Sequence, residues 1–223
     1  PTARTSMKLS KRIQSIQGSA TLAISAKANT LRAQGVDAIS FSAGEPDFTT
    51  PEPILDGARR AMAEGRTGYT AVGGCVELKE AIRRYHIEKL GVEFSDAEII
   101  ASNGAKHSLF NMLLGLLDPG DEVILPTPAW VSYPTQIEMA GAKPMLVPGD
   151  PANGFVPTVA DLEAATTERT TAIILNNPSN PTGAFWDADQ LRGIASWLDD
   201  HPQVVVVSDS IYDELVYDGA KAT

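Results

Sequence analysis

From about residue 98 onward, short apolar, β-branched runs alternate with helical stretches, and this rhythm limits the possible folds more than any other feature of the chain. The strand-like "EIIAS" is followed by the loop "NGAK" and the helical "HSLFNMLLGLL". The turn "DPGD" then leads to the strand "EVILP", a helix over about 130–140 and the strand "KPMLVP". An acidic helix over about 159–165 precedes the strand "TTAIILN", the helix "DADQLRGIASWLDD" and the strand "QVVVVSDS". Strands so short and so continuously apolar are buried on both faces, and the helices between them carry the chain back to the same edge. The predicted class is α/β, with a mostly parallel sheet and helices on both faces.

Upstream, Leu22 to Ala33 has helical spacing with Gly35 placed as a stop, and "VDAISFS" alternates as a strand. In "TTPEPILDGARRAMAEG" a helix is predicted with Thr50 as N-cap, Pro51 at the first helical position and Gly65 at the end. Another helix is predicted from Val76 to Leu90.

In a parallel sheet, ligands bind beyond the carboxyl ends of the strands. The loops to read are therefore "SAGEPDF", "SNGAKHS", "PTPAWVSYP", "NNPSNPTG" and "SDSIYDE". Composition narrows what they can hold. With 28 acidic and 18 basic residues the formal net charge is -10, which argues against nucleic acid or an anionic membrane surface as a partner. No apolar run approaches the ~20 residues of a membrane span, and the basic N-terminal stretch has no apolar core of a leader. The single cysteine, Cys75, excludes an intramolecular disulfide, so a cytoplasmic location is expected. The histidines 86, 107 and 201 lack metal-ligand spacing, and no metal is expected.

"SNGAKHS" puts a glycine and backbone amides at the opening of a helix, where a phosphate is favoured; an ordinary turn capped by Asn103 fits the same residues. Asp209 follows four valines, so its carboxylate ends a central strand and needs either a cationic partner, such as a protonated ring nitrogen, or an N-cap role for "SIYDEL". Trp130 can lie flat on a planar ligand or pack in the core. Tyr212 is within reach of the same ligand as Asp209, and Asn180, restricted by the following proline, can donate to a ligand oxygen. An anion cradle, a stacking indole, a buried carboxylate and an Asn–Tyr donor pair together describe a pocket for pyridoxal phosphate. A nicotinamide dehydrogenase, the other option for such a sheet, lacks its glycine fingerprint here.

The ordered stretches "SAGEPDF", "GYTAVGG", "NGAKHSLFN", "DPGDEVILPTPAWVSYP", "NNPSNPTG" and "SDSIYDELVY" cover nearly the whole chain, which resembles the class I aminotransferases of fold type I, in their bacterial aspartate aminotransferase branch. The resemblance implies pyridoxal 5′-phosphate as cofactor. Gly104, Ala105 and Lys106 would lie near its phosphate, Trp130 would stack on its ring, and Asn180 and Tyr212 would bond its phenolic oxygen. Asp209 would keep the ring nitrogen protonated. Gly44 would approach the substrate α-carboxylate, while Thr21 and Lys106 match positions that help receive a distal carboxylate. Tyr69 matches a tyrosine that reaches the neighbouring subunit's phosphate, which implies a homodimer.

Ser210 and Ala129 depart from the family pattern without breaking the cofactor pocket. The Schiff-base lysine and the α-carboxylate arginine belong downstream of the Asp-x-x-Tyr segment, beyond Thr223, and Lys221 is too near Tyr212 to serve. The expectation is an N-terminal arm with part of a small domain over 1–48, and over 49–223 a cofactor domain lacking its catalytic lysine and inactive alone. The implied activity is amino-group transfer between aspartate or glutamate and a 2-oxo acid. The alternatives are prephenate or aromatic transamination, carbon–sulfur lysis, or a non-catalytic relative.

Overall fold

The computed structural model describes residues 8–16, 18, 20–41, 44 and 48–217, the side chains of 15, 20 and 21 excepted. The chain divides into two compact units, Pro1–Ile100 and Ala101–Thr223.

The first unit carries helices α1 (Lys11–Ser15), α2 (Ala20–Ala33), α3 (Glu52–Ala63) and α4 (Val76–Leu90). At α3 the sequence expectation needs correcting. Pro51, not Thr50, is the N-cap, and no side chain caps this end. The predicted strand in "VDAISFS" is absent over its described residues 36–41, and so is the one in "EIIAS", where Glu98 ends a 3-10 turn over Asp96–Glu98 and the other residues are coil. A strand needs a neighbour for its ladder. Here local bonds take that place: the Ala38 carbonyl accepts from Arg32 Nε at 2.9 Å, and Ser95 with Glu98 closes a capping box. Lys79 Nζ and Arg83 Nε donate to the carbonyls of Asp96 and Phe94, fastening the turn to α4.

The second unit alternates helix and strand: α5 (Ala105–Leu116), β1 (Glu122–Thr127), α6 (Ser132–Ala140), β2 (Lys143–Pro148), α7 (Val159–Ala165), β3 (Thr170–Asn176), α8 (Ala188–Asp200) and β4 (Val205–Asp209). The four strands form one parallel sheet in the order β2-β1-β3-β4. Successive strand residues face opposite sides. Val123, Leu125, Ala172 and Ile174 therefore pack with Leu109, Leu113 and Ile137 of α5 and α6. Ile124, Ile173 and Leu175 pack on the other face with Leu162, Ile194 and Trp197 of α7 and α8. Both faces being covered, each central strand reads as a continuous apolar run.

At the amino end of the sheet, Glu122 opens β1 and is 2% exposed. It accepts from Thr167 Oγ1 at 2.6 Å and Arg169 Nη2 at 2.7 Å, with Lys143 Nζ at 3.8 Å, so one carboxylate ties together the starts of β1, β2 and β3. The Thr167 hydroxyl, and after it Arg169, hold its carboxyl below the ordinary value of 4.5. A depressed folded-state value means that the contribution is complete above 4.5 and is lost as pH falls through the lower folded value. Glu122→Gln is expected to lower unfolding stability by about 1 to 3 kcal/mol at pH 7. The difference from wild type should shrink below pH about 4, as measured by urea unfolding across pH.

Candidate functional site

The carboxyl ends of β1, β3 and β4 and the start of α5 surround a cavity of about 300 Å³. Ala105, Lys106 and Trp130 line one part of it, Asn176 and Asn180 another, and Asp209, Ile211 and Tyr212 a third. A smaller cavity nearby, about 20 Å³, has room for no more than a water.

Asp209 ends β4 and is 8% exposed. Tyr133 donates its hydroxyl to Oδ2 at 2.7 Å, and the Ile211 N–H donates to Oδ1 at 3.2 Å. Tyr133 is 1% exposed on α6, and burial, followed by donation to Asp209, pushes its phenol above the ordinary 10.0. The hydroxyl therefore stays a donor across the physiological range. Among the described residues Asp209 has no cationic partner: both of its contacts are neutral donors. A buried carboxylate in that condition attracts a cation or an N–H⁺ group.

Trp130 is half-buried, with its ring edge-on to Tyr133 at 5.2 Å, and Lys106 Nζ stands 4.8 Å from the indole centroid. The side-chain amide of Asn180 donates to the Tyr212 hydroxyl at 3.3 Å. Opposite them, α5 begins at Gly104, with φ 79 and ψ 164. That left-handed φ is one that residues with a Cβ rarely adopt, and it makes Gly104 rather than Asn103 the N-cap. No side chain caps this helix, and Ala105 and Lys106 of its first turn, where N–H groups lack intrahelical acceptors, line the cavity. Gln136 of α6 holds the Lys106 carbonyl at 2.9 Å and fixes α5 against α6.

The fold thus brings Ala105, Lys106, Trp130, Asn180, Asp209 and Tyr212 to one cavity, with Gly104 immediately before it. Gly44 and Tyr69 lie in the first unit, where Tyr69 is fully exposed. The side chain of Thr21 lies outside the described residues, as do most of the "SAGEPDF" loop and Lys221. Sequence reasoning passed over Tyr133 and Asn176. The signal for Tyr133 was its place three residues after Trp130 at the start of a helix packed on the sheet, where a buried hydroxyl must find a partner.

A parallel α/β sheet with an aromatic wall, a helix start and an uncompensated carboxylate at its carboxyl edge is chemically suited to a planar ligand that carries an anionic group and a cationic nitrogen. A family model described as aminotransferase class I and II matches residues 36–223, and the chain belongs to that family. It is 49% identical over 215 residues to the aspartate aminotransferase of Geobacillus stearothermophilus, covering 96% of this chain and 54% of that protein. It is 44% identical over 212 residues to a probable aspartate/prephenate aminotransferase of Thermus aquaticus, covering 95% of this chain and 55% of that protein. A solved aspartate aminotransferase from Thermus thermophilus with maleate aligns with a TM-score of 0.92 at 42% identity, over 97% of this chain and 56% of that one. The fold is accordingly the fold type I architecture of these enzymes, and the chain spans about half the length of the curated relatives it matches.

Removing the Tyr133 hydroxyl leaves a buried carboxylate short of a donor. Tyr133→Phe is expected to cost about 1 to 3 kcal/mol of unfolding stability near neutral pH. Because the folded-state value of Tyr133 is raised, its contribution is complete below 10.0 and is lost as pH rises further. Ultraviolet titration of the folded protein should show wild type and Tyr133→Phe ionising equal numbers of tyrosines near pH 10, the wild-type excess appearing only on unfolding.

Proposed function

We propose that this chain is the cofactor-binding part of a pyridoxal 5′-phosphate-dependent aminotransferase that moves an amino group between aspartate or glutamate and a 2-oxo acid. The observation that carries the reading is Asp209, buried and held only by neutral donors in a cavity walled by Trp130. The cavity, about 300 Å³, is at the lower end of the range for small-molecule sites and fits a single substituted ring.

In this reading Asp209 keeps a proton on the ring nitrogen, and Tyr133 and Ile211 hold its two oxygens so that it cannot turn away. Trp130 bounds the plane of the ring, and Asn180 and Tyr212, already 3.3 Å apart, present their donors to the ring oxygen. Gly104, Ala105 and Lys106 offer the helix start to the phosphate. Bound there, the cofactor would supply an electron sink for bonds to the substrate α-carbon. The Schiff-base lysine and the α-carboxylate arginine are assigned to the part of the relatives' length that this chain does not span, and the 223-residue chain by itself is assigned no activity. The division into an N-terminal arm with part of a small domain over 1–48 and a cofactor domain over 49–223, a homodimer with Tyr69 reaching the neighbouring phosphate, substrate contacts from Gly44 and Thr21, and a cytoplasmic location belong to the same reading. The full exposure of Tyr69 supports the second of these.

Lys106 supports an acidic substrate. Its ammonium stands beside Trp130 at the cavity, where it can meet a distal carboxylate. The Thermus aquaticus relative's name and the aromatic wall support a second reading, in which prephenate or an aromatic 2-oxo acid is also accepted. The test is the full-length protein with pyridoxal phosphate, assayed against a panel of amino donors and 2-oxo acids. Aspartate or glutamate should lead the panel with ping-pong kinetics, and absence of both a cofactor band and transamination would overturn the reading. Lys106→Ala should lower kcat/KM for aspartate roughly ten- to a hundredfold while changing aromatic donors much less.

A further inference from the structure

Asn176 is the last residue of β3 and the register partner of Asp209 at the end of the β3/β4 ladder. Its side-chain amide faces two ways. Oδ1 accepts from the Asn180 backbone N–H at 2.7 Å, and Nδ2 donates to the Asp209 carbonyl at 3.0 Å, where the Asn177 N–H also arrives at 3.1 Å. The contacts close on themselves: Asn180 reaches the Tyr212 hydroxyl, and Tyr212 follows Ile211, whose N–H returns to the Asp209 carboxylate.

We infer that Asn176 is a positioning residue that yokes Asn180 to Asp209, fixing the distance between the group that serves the ring oxygen and the group that serves the ring nitrogen. The inference rests on the reading of this cavity as a pyridoxal phosphate site. Asp209 is the last ladder residue of β4, but Asn180 lies four residues past the end of β3, so the sheet alone does not set their separation. A planar amide does, because its acceptor and donor arms are rigidly related. Aspartate could keep the bond from Asn180 but has no N–H for the Asp209 carbonyl, glutamine is one methylene too long, and leucine can make neither bond. Asn176 also lines the cavity, so direct contact with the ligand is the competing role.

The two roles separate in a double-mutant cycle on the full-length protein. The readouts are the pH midpoint of the bound cofactor's absorbance and, in the cofactor-free protein, hydrogen exchange of the Asn180 amide. Asn176→Ala should speed that exchange roughly five- to tenfold, the factor carried by one lost hydrogen bond. It should also shift the midpoint, and Asn180→Ala should then add less than half of the shift it causes in wild type. Asn176→Asp, which retains the acceptor, should restore slow exchange but not the midpoint. Additive shifts, with the Asn180 amide exchanging at the wild-type rate in Asn176→Ala, would overturn the yoke while leaving the cofactor site intact. A wild-type protein with no bound-cofactor band would overturn the site reading and the yoke with it.

Discussion

A strand covered on both faces has nowhere to keep a polar side chain except at its ends. In the sheet of this protein Val123, Ile124, Leu125 and the run from Ala172 to Leu175 are all consumed by the two cores. Among the described residues the buried polar groups of the strands and the loops that leave them fall at strand termini: Glu122 and Thr170 at the amino end, Asp209 at the carboxyl end, and Asn177 just past β3, while Gln136 lies on α6. Because every strand is parallel, the ends where loops enter helices are all on one side. One geometric constraint therefore gathers Trp130, the asparagine loop and Asp209, and the bond from Gln136 of α6 to the Lys106 carbonyl brings the start of α5 beside them.

The two carboxylates buried among the described residues are handled in opposite ways, and the contrast separates structure from chemistry. Glu122 is met by Arg169 and Lys143 as well as by a hydroxyl, so its charge is compensated within the fold. Such a group staples strands and has nothing left to offer a ligand. Asp209 is met by a hydroxyl and a backbone N–H, which orient it without neutralising it. Desolvation makes that charge expensive unless a cation comes to it. A phenol that burial keeps protonated at physiological pH is well suited to the orienting task, since it adds no second negative charge beside the first.

How far the sequence discloses this arrangement depends on the range of the interaction involved. Helix Val76–Leu90 and strands Lys143–Pro148 and Thr170–Asn176 are legible because spacing, apolar runs and local stops lie within each segment. Alternation in "VDAISFS" and "EIIAS" is equally local, yet a strand is a relation with a neighbour that no short window contains. The cap at α3 failed for a related reason: Pro51 itself took the capping position that Thr50 seemed to offer. Asp209 stands out as an acid after four valines. Tyr133 does not, because the carboxylate it serves is 76 residues away and the tyrosine resembles any aromatic residue of a buried helix face.

The abundance of amides in "NNPSNPTG" has its explanation in the same charge balance. Asn177 uses its carbonyl to hold the Trp186 N–H, Asn176 joins Asn180 to Asp209, and Asn180 meets Tyr212. Each of these tasks needs a side chain that is short, rigid and able to accept or donate at a fixed angle. Lysine or arginine could donate in the same places, but a cation there would compensate Asp209 from within the protein and remove its reason to bind one from outside. Aspartate could accept, but a second buried anion would raise the cost of keeping the first ionised. Asparagine builds the frame and leaves the electrostatics of Asp209 unaltered, so the loop is rigid where the ligand would lie and neutral where the charge must stay available.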